Sequence, residues 1–299
     1  MEAFTLQAMA KVNLGLDVIR RLENGYHEVR MIMQTVHLYD ELTFETADEG
    51  IHLQVDRRDL PGDETNLVYK AAKLIMEEHP VSGGVKITLK KQIPMAAGLA
   101  GGSSDAAAVF HGLNRLFSLG MDVEEMKRLG VRIGADVPFC IVGGTMLSEG
   151  IGERLTPLPG ISEAHLVIAR PDIHVSTKYV YENLHVEQVV HHPDMDRVEA
   201  AVRGGDMDNM CYYMENILET VTERKYPEIS EIKTRLKNCG AVTALMSGSG
   251  PSVFGIFKTA HQAEMACGEL KKQGIAKDLF VTYCTNRGCV EKPPCSDGE

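Results

Sequence analysis

Apolar and polar positions alternate along the first fifty residues, as they do in β-strands that bury one face. The alternation runs from Phe4 to Val18 and predicts one long strand. Similar but shorter runs predict further strands at residues 41–46, 51–55 and 85–90. Because the intervening positions are polar, the pattern favours an antiparallel sheet with one face in water over a buried parallel sheet.

Helical periodicity appears between these strands, with apolar residues three and four positions apart. Asn66 can cap a helix that continues to residue 75. A second helix is predicted to begin at Ser103 or Ser104 and to end before Gly120, and Asp122 is expected to cap a third. Helices and strands therefore mix in the first half of the chain.

The composition changes near residues 156–160, which are rich in Pro and Gly. We therefore expect an N-terminal domain over residues 1–160 and a C-terminal domain over 161–286. In the latter, the order strand, helices, strand, strand, helix, strand resembles a ferredoxin-like sandwich. The predicted fold class is α+β. Residues 287–299 are polar, contain Pro293-Pro294 and are predicted to form a disordered tail.

Composition narrows the functional classes. The chain has 299 residues, 44% of them hydrophobic and 24% charged, which is typical of a globular protein. Its net charge of −11 argues against a nucleic-acid or anionic-membrane partner. Seven cysteines without a Cys-x-x-Cys pair indicate reduced thiols. With no signal-peptide pattern, we expect a cytoplasmic protein, either a monomer or a homodimer.

A glycine-rich segment follows the strand at 85–90 and leads into a helical pattern. Residues 94–104 contain three glycines and end in the pair Ser103-Ser104. Glycines let backbone N–H groups approach a ligand closely, and a helix N-terminus attracts anions, so the segment is typical of a phosphate-binding loop. It lacks the Lys-Ser/Thr pair of a Walker A loop. A structural loop of small residues is the alternative.

Two charged residues are candidates for chemistry. Strand alternation places Lys11 on the same face as Asn13, although a solvated lysine would show the same pattern. Asp136 lies before Pro138, at a turn or the start of a short helix, where it could aim at a substrate hydroxyl or simply cap the helix. Phosphoryl transfer needs a base for the nucleophile and positive charge near the phosphates, and this pair would supply both.

Three turns could bind ligands. Asn24-Gly25 predicts a tight turn that is followed by Tyr26 and His27, and an aromatic ring beside an imidazole suits a flat base. Ordinary strand residues would look the same. The segment 148–153 is equally compatible with a binding turn and a hairpin. The glycines of 247–251 offer donors to an anion, although a hairpin also needs them.

Taken together, these segments resemble the GHMP kinase superfamily, which includes galacto-, homoserine, mevalonate and phosphomevalonate kinases. Its phosphate loop has the form Pro-x-x-x-Gly-Leu-x-x-x-Ser-Ser-x-Ala. The segments 10–14, 24–27, 134–139 and 150–153 are most similar to one branch, whose acceptor is a cytidine diphosphate conjugate of methylerythritol. The resemblance extends to about residue 286. The loop positions that match are Pro94, Gly98, Leu99, Ser103, Ser104 and Ala106.

The resemblance implies a two-domain GHMP kinase fold and ATP-dependent phosphorylation of the 2-hydroxyl of the methylerythritol unit, a step in the non-mevalonate isoprenoid pathway. It makes Lys11 and Asp136 the catalytic pair. Asp136 would accept or orient the hydroxyl proton, while Lys11 would orient Asp136 and offset charge on the phosphoryl group. Mg²⁺ is expected with ATP, and its protein ligands stay open, with Ser104 a candidate.

The resemblance also implies binding residues. Asn66 would lie near the adenine and Lys91 would reach the nucleotide phosphates. Family members usually carry more glycine where Ala96, Ala97 and Ala100 stand here. Residues expected to hold the ATP phosphates are Pro94, Met95, Ala96, Ala97, Gly98, Leu99, Ala100, Gly101, Gly102, Ser103 and Ser104, with Gly248, Ser249 and Gly250 nearby.

The acceptor would be bound by a separate set of side chains. Tyr26 and His27 would bind the cytosine, with Tyr181 facing it from the other side, where the family commonly has Phe. Asn13 and Thr177 would flank the acceptor. These positions carry the expected substrate specificity.

Three alternatives compete with this hypothesis. A GHMP kinase for homoserine or phosphomevalonate is disfavoured by Tyr26 and His27, since those acceptors carry no base. A non-catalytic nucleotide-binding regulator is disfavoured by the presence of both Lys11 and Asp136. A dinucleotide-binding oxidoreductase is weaker, because its glycine fingerprint should follow a buried parallel strand.

Overall fold

A computed structural model describes residues 2–161 and 164–292 of the chain, which contain two β-sheets and flanking helices. The larger sheet has the order β11-β1-β2-β4-β3, with β5 paired to β2 and β6 to β5. Its only parallel pair within the described residues is β3–β4. The sheet is therefore mixed and mainly antiparallel, as predicted. Its strands are β1 (Phe4–Arg21), β2 (His27–Ala47), β3 (Ile51–Val55), β4 (Gly84–Lys90), β5 (Thr145–Gly150), β6 (Arg154–Leu158) and β11 (Cys289–Glu291).

The smaller sheet is antiparallel and has the order β10-β7-β9-β8. Read along the chain, its elements alternate as strand, helix, two strands, helix and strand. This is the order and pairing of a ferredoxin-like sandwich, which confirms the predicted class of the C-terminal part. The elements are β7 (His165–Arg170), α9 (Glu228–Asn238), β8 (Thr243–Met246), β9 (Val253–Phe257), α10 (Ala260–Gln273) and β10 (Asp278–Tyr283).

Further helices pack around the two sheets, and none of the described helices is long and apolar enough to cross a bilayer. The predicted caps are confirmed. The side chain of Asn66 accepts from Val68 N at 2.9 Å, and Asp122 caps the third helix in the same way through Glu125 N. The remaining helices are α1 (Leu67–Glu78), α2 (Gly101–Leu116), α3 (Val123–Gly130), α4 (Val137–Val142), α5 (Thr177–Glu182), α6 (Met195–Gly204), α7 (Met207–Tyr213) and α8 (Glu219–Lys225).

The predicted start of α2 at Ser103 or Ser104 is wrong. The helix begins at Gly101, because Ala100 takes a left-handed conformation with φ 56° and turns the chain into the helix at that point. The helix ends at Leu116, before Gly120, as predicted. The N-terminal turn of α2 is therefore made of the glycines and serines of the loop itself.

The expected wet face of the first sheet is also wrong for β1, whose residues are buried on both faces over most of its length. Leu6 and Ala8 belong to one core cluster, whereas Val12 and Leu14 belong to a second. Ile168 of β7 contributes to this second core. Polar residues of β1 are therefore enclosed between layers rather than solvated, and such residues need partners.

The predicted disordered tail requires a correction. Residues 289–291 form β11, which pairs with Leu6–Ala8 of β1, and Gly288 O accepts from Met9 N at 3.1 Å. The edge of β1 offers unpaired backbone groups, and β11 satisfies them. Residues 293–299 of the predicted tail lie outside the described part of the chain. The division at residues 160 and 161 falls between β6 and β7 and stays a prediction.

Candidate active site

A cavity of about 540 Å³ lies between the larger sheet, the glycine-rich loop, α5 and the turn after β8. It brings together segments that are far apart in the sequence. Predicted site residues that line it are Lys11, Asn13, Tyr26, His27, Gly98, Ala100, Ser103, Asp136, Thr177, Tyr181, Gly248 and Ser249.

Lys11 projects from β1 into this cavity although it is only 4% exposed. Its Nζ donates to Asn13 Oδ1 at 2.7 Å and to Gly98 O at 3.0 Å, and lies 4.0 Å from Asp136 Oδ2. A buried ammonium group needs such partners to offset its lost hydration. The alternative of a solvated surface lysine is therefore excluded.

Asp136 occupies the residue before α4, but its side chain makes no capping hydrogen bond. Its carboxylate is about one-third exposed and lies at the cavity wall beside Lys11. The interpretation as a mere helix cap is therefore wrong. The next residues, Val137 and Pro138, are buried and fix the start of the helix. The carboxylate consequently faces open space with a cation beside it.

The glycine-rich loop rests on the turn that follows β8. Gly98 has a φ of +75°, and a Cβ there would overlap the carbonyl oxygen of Ser247. The Ser247 hydroxyl donates to Gly98 O at 2.9 Å. Ala96 and Ala100 also adopt positive φ, at 49° and 56°. The loop therefore has the glycine-like shape that the family motif needs, even where alanine replaces glycine.

A second cavity of about 380 Å³ lies on the other side of the loop, against α1. Two predicted loop residues do not reach it, since Leu99 packs in the core and the Ser104 hydroxyl donates to Met9 O. Leu60, Thr65, Leu67 and Asp105 also line it and were not among the predicted site residues. Its predicted residues are Asn66, Lys91, Pro94, Met95, Ala96, Ala97, Gly98, Ala100, Gly101, Gly102 and Ser103.

Lys91 lines this second cavity, but its side chain is only 2% exposed and its ammonium group pairs with Asp40 and Asp105. Burial opposes the charge of Lys91, yet the charges of Asp105 and Asp40 outweigh burial and raise its pKa. Because the Lys91 ammonium group already forms ion pairs with two carboxylates, the contact of Lys91 with nucleotide phosphates stays a prediction.

Aromatic rings gather at the far end of the first cavity. The rings of His27 and Tyr181 are 5.1 Å apart and tilted by 41°, while Tyr26 is 59% exposed beside them. Burial lowers the pKa of His27, and the charge of Arg21 lowers it further. Burial, reinforced by the charge of Asp136, raises the pKa of Tyr181. These rings form a shelf with a neutral imidazole.

Hydroxyl groups and an amide join the remaining segments. Thr177 Oγ1 and Ser249 Oγ lie 2.8 Å apart and tie α5 to the glycine turn. Asn216 was missed by sequence reasoning. Its Nδ2 donates to Met246 O and to Gly248 O, both at 2.8 Å, and so shapes the turn from a distant segment. The 148–153 segment is a β5–β6 hairpin, which confirms that interpretation; Ile151 also lines the cavity, and its role as a binding turn stays a prediction.

Known proteins match this chain in sequence and in structure. The GHMP kinases N terminal domain model matches residues 66–144, and the GHMP kinases C terminal model matches residues 198–276. A 4-diphosphocytidyl-2-C-methyl-D-erythritol kinase from Lachnospira eligens is 49% identical, over 94% of this chain and 98% of its own. The chain belongs to this family of GHMP kinases. The expected ATP-dependent small-molecule kinase is thereby confirmed.

Solved structures agree with this membership. A crystal structure of a 4-(cytidine 5'-diphospho)-2C-methyl-D-erythritol kinase superposes with a TM-score of 0.81 at 34% identity, covering 94% of this chain and 98% of the other. A homoserine kinase from Cytophaga hutchinsonii superposes with a TM-score of 0.80, at 22% identity and with 98% of each chain covered. The second match shows only that the GHMP kinase fold is shared.

Proposed function

We propose that the chain transfers the γ-phosphoryl group of ATP to the 2-hydroxyl of 4-diphosphocytidyl-2-C-methyl-D-erythritol. One observation carries the proposal: a single cavity holds the Lys11–Asp136 pair near the phosphate loop and an aromatic shelf at its far end. Homoserine and mevalonate carry no base for such a shelf, so their kinases would have no use for it. The paired charges likewise favour an enzyme over a nucleotide-binding regulator.

The catalytic pair supports an in-line transfer. The acceptor hydroxyl oxygen forms a bond to the γ-phosphorus, the bond from phosphorus to the bridging oxygen of ADP breaks, and the Asp136 carboxylate takes the hydroxyl proton. Lys11 stabilises the carboxylate from 4.0 Å and brings positive charge close to the transferring group. Its bonds to Asn13 and Gly98 O hold it in position.

Backbone N–H groups of the loop and of the first turn of α2 would bind the phosphates, with Gly248, Ser249 and Gly250 on the opposite side. Asn66 at the N-terminus of α1 would lie near the adenine, between Leu60 and Leu67. Tyr26, His27 and Tyr181, which line one end of the cavity, would hold the cytosine, and Asn13 and Thr177 in its wall would flank the acceptor.

Mg²⁺ would accompany ATP. Enzymes of this kind hold Mg²⁺ through one or two carboxylates together with the substrate phosphates. In the described part of the chain no group of three or more His, Cys, Asp or Glu could hold a metal, which fits an ion bound mainly by ATP. Asp136 could contribute one carboxylate oxygen, whereas the buried Ser104 hydroxyl donates to Met9 O and does not fit as a ligand. When bound, Mg²⁺ would neutralise phosphate charge.

The setting of the enzyme also belongs to this proposal. We expect a cytoplasmic monomer or homodimer with a small-molecule substrate and no nucleic-acid or membrane partner. The net charge of −11 supports the last point. Free thiols at the six described cysteines support a reducing compartment.

A panel of acceptors tests the proposed substrate. We expect ADP release with ATP, Mg²⁺ and the diphosphocytidyl acceptor, and only background release with homoserine, mevalonate or phosphomevalonate. Phosphorus NMR of the product would show whether the new phosphate is on the 2-hydroxyl. Preference for an acceptor without cytosine would overturn the proposal.

A further inference from the structure

A cluster of three charged side chains lies beneath the phosphate loop, apart from the catalytic pair. It consists of Lys91, Asp40 and Asp105, whose side chains are 2%, 0% and 2% exposed. Lys91 Nζ donates to both carboxylates, at 2.7 Å in the case of Asp105 Oδ2. The cluster joins β2, the residue that follows β4 and Asp105, which lies just after the first turn of α2. It therefore spans both ends of the loop.

The charges of this cluster do not balance. Two carboxylates share one ammonium group, which would leave a net negative charge on side chains that are at most 2% exposed. Such an uncompensated buried charge is expensive, and a carboxyl group in this position takes up a proton instead. A negative charge here would also lie directly behind a loop that has to attract phosphates. One proton shared by the pair removes both problems.

The hydrogen bonds show which carboxyl keeps the proton. Asp40 Oδ1 accepts from Gln92 N at 2.5 Å and Ile93 N at 2.8 Å, while Oδ2 accepts from Lys91. Three donors therefore surround the Asp40 carboxyl group. Asp105 accepts from Lys91 alone, and its buried Oδ1 has no partner in the described part of the chain. The proton therefore belongs on Asp105.

We propose that Asp105 is a positioning residue that remains protonated at neutral pH and fixes the phosphate loop as a neutral carboxyl group. It holds the start of α2 against Lys91, while Asp40 holds Gln92 and Ile93, so the loop is anchored at both ends without a net negative charge. This inference rests on the proposed assignment of the loop to the ATP phosphates. The pair of acids thus acts on ATP binding through the loop.

The titration of Asp105 agrees with this geometry. Burial raises its pKa, the charge of Lys91 lowers it, and the charge of Asp40 raises it again. The net shift is well above the ordinary value. A neutral amide of the same shape should therefore replace this carboxyl with little loss.

Three variants separate a neutral anchor from a charged one. We expect Asp105→Asn to keep the KM for ATP within about twofold of the unmodified enzyme, because the amide preserves shape and neutrality. Asp105→Ala should raise the KM for ATP about tenfold and leave the KM for the acceptor unchanged. Asp40→Asn should be at least as harmful as Asp105→Ala, because it removes the charge that Lys91 needs.

Infrared spectroscopy detects directly whether the Asp105 carboxyl group is protonated. The difference spectrum between the unmodified enzyme and Asp105→Asn should contain the carbonyl-stretch band of a protonated, buried carboxylic acid at neutral pH. Thermal unfolding of each variant shows whether it is folded. If Asp105→Ala does not fold, the kinetics of Asp105→Asn and Asp40→Asn together with the infrared spectrum still test the proposal.

Two results would overturn the proposal. The first is the absence of that band together with an Asp105→Asn variant as impaired as Asp105→Ala, which would mean that Asp105 acts as a charge. The second is a change in the KM for the acceptor instead of the KM for ATP, which would remove the positioning role. Failure of the proposed kinase function would look different, since the unmodified enzyme itself would not turn over the diphosphocytidyl acceptor.

Discussion

The Lys11 ammonium group contacts oxygen atoms in three places. It donates to the Asn13 amide on its own strand and to the Gly98 carbonyl of the loop, and it lies beside the Asp136 carboxylate before α4. Side-chain alternation along β1 accounts only for the first of these. The other two require the loop and α4 to pack against the strand. A residue that resembles an ordinary surface lysine in the sequence thus joins the proposed base to the phosphate loop.

The first prediction concerns this pair. Asp136→Asn and Lys11→Ala should each lower kcat by about 10²–10⁴-fold, since they remove the proposed proton acceptor or the charge that orients it. Stopped assays of ADP release with the diphosphocytidyl acceptor measure this change. Asp172→Asn is the matched control, because Asp172 pairs with Lys277 on the surface, outside the residues that line the cavity. Near-normal turnover in both site variants would contradict the assigned roles.

The second prediction concerns pH and His27. The pKa of His27 is lowered from its ordinary value of 6.5, so the imidazole stays neutral at pH 7 and gains its charge only in more acidic solution. Protonation would remove a ring nitrogen that can accept a hydrogen bond from a base. The KM for the acceptor should therefore be constant near neutrality and rise as the pH falls below that of the unperturbed group.

Steady-state kinetics at a series of pH values would measure this effect, with the KM for ATP as the internal control. The His27→Asn variant cannot titrate at this position, so its acceptor KM should be higher overall but independent of pH in the same range. An equal acid rise in that variant would assign the titration to another group.

At the scale of elements, the loop and the β8–β9 turn act as one unit. The Ser247 hydroxyl donates to Gly98 O, and Asn216 holds the turn from the other side through Gly248 O. Close approach of the two backbones is possible because Gly98 has no side chain. The phosphate loop is therefore shaped by the second sheet as well as by its own glycines.

The third prediction tests this close approach. Gly98→Ala should raise the Kd for the ATP analogue at least about tenfold, because its Cβ would meet the Ser247 carbonyl and push the loop away from the turn. Gly120→Ala is the matched control, since Gly120 has a similar φ of +71° but no atom within 4 Å of its Cβ position. Isothermal titration with a non-hydrolysable ATP analogue would compare the two. Equal effects would indicate backbone strain alone and no role for the contact.

Sequence patterns predicted most elements but misplaced α2. Asn66 and Asp122 were identified correctly, because a cap is a local interaction between a side chain and the next turn. Ala100 has no such local signal. It holds a left-handed conformation that alanine seldom adopts alone, so the surrounding packing must impose it. The start of α2 therefore depended on tertiary contacts.

At the scale of the whole molecule, β1 connects the two cores and the C-terminus returns to its edge. Val12 and Leu14 pack in one core cluster with Leu166 and Ile168 of β7, while Leu6 and Ala8 belong to another cluster that includes Val167 and Ala169. On β2, the Gln34 amide donates to Thr285 O at 2.9 Å, in the segment that leads back to β11. Residues of both sheets therefore share the same core clusters.

The fourth prediction concerns this return of the chain. Gly288→Ala should lower the free energy of unfolding by about 1–3 kcal/mol, because its Cβ would lie 2.6 Å from Cys140 O and 2.9 Å from the Gly143 backbone. Gly268→Ala is the control, since no atom lies within 4 Å of its Cβ position inside α10, and alanine favours the helix. Denaturant titration measures both. An unchanged midpoint in Gly288→Ala would show that the close contact of Gly288 with Cys140 O and the Gly143 backbone contributes little.

The sequence by itself determined the element types, the ferredoxin-like order of the second part and the phosphate-loop motif, because periodicity, caps and glycine spacing are local properties. Only the tertiary structure decided that β1 is buried on both faces, that Lys11 meets Asp136 and that Lys91 pairs with two acids. These outcomes depend on which distant segments cover each face of a strand. Alternation along a strand specifies the two faces, but what each face contacts is decided by the packing of the whole chain.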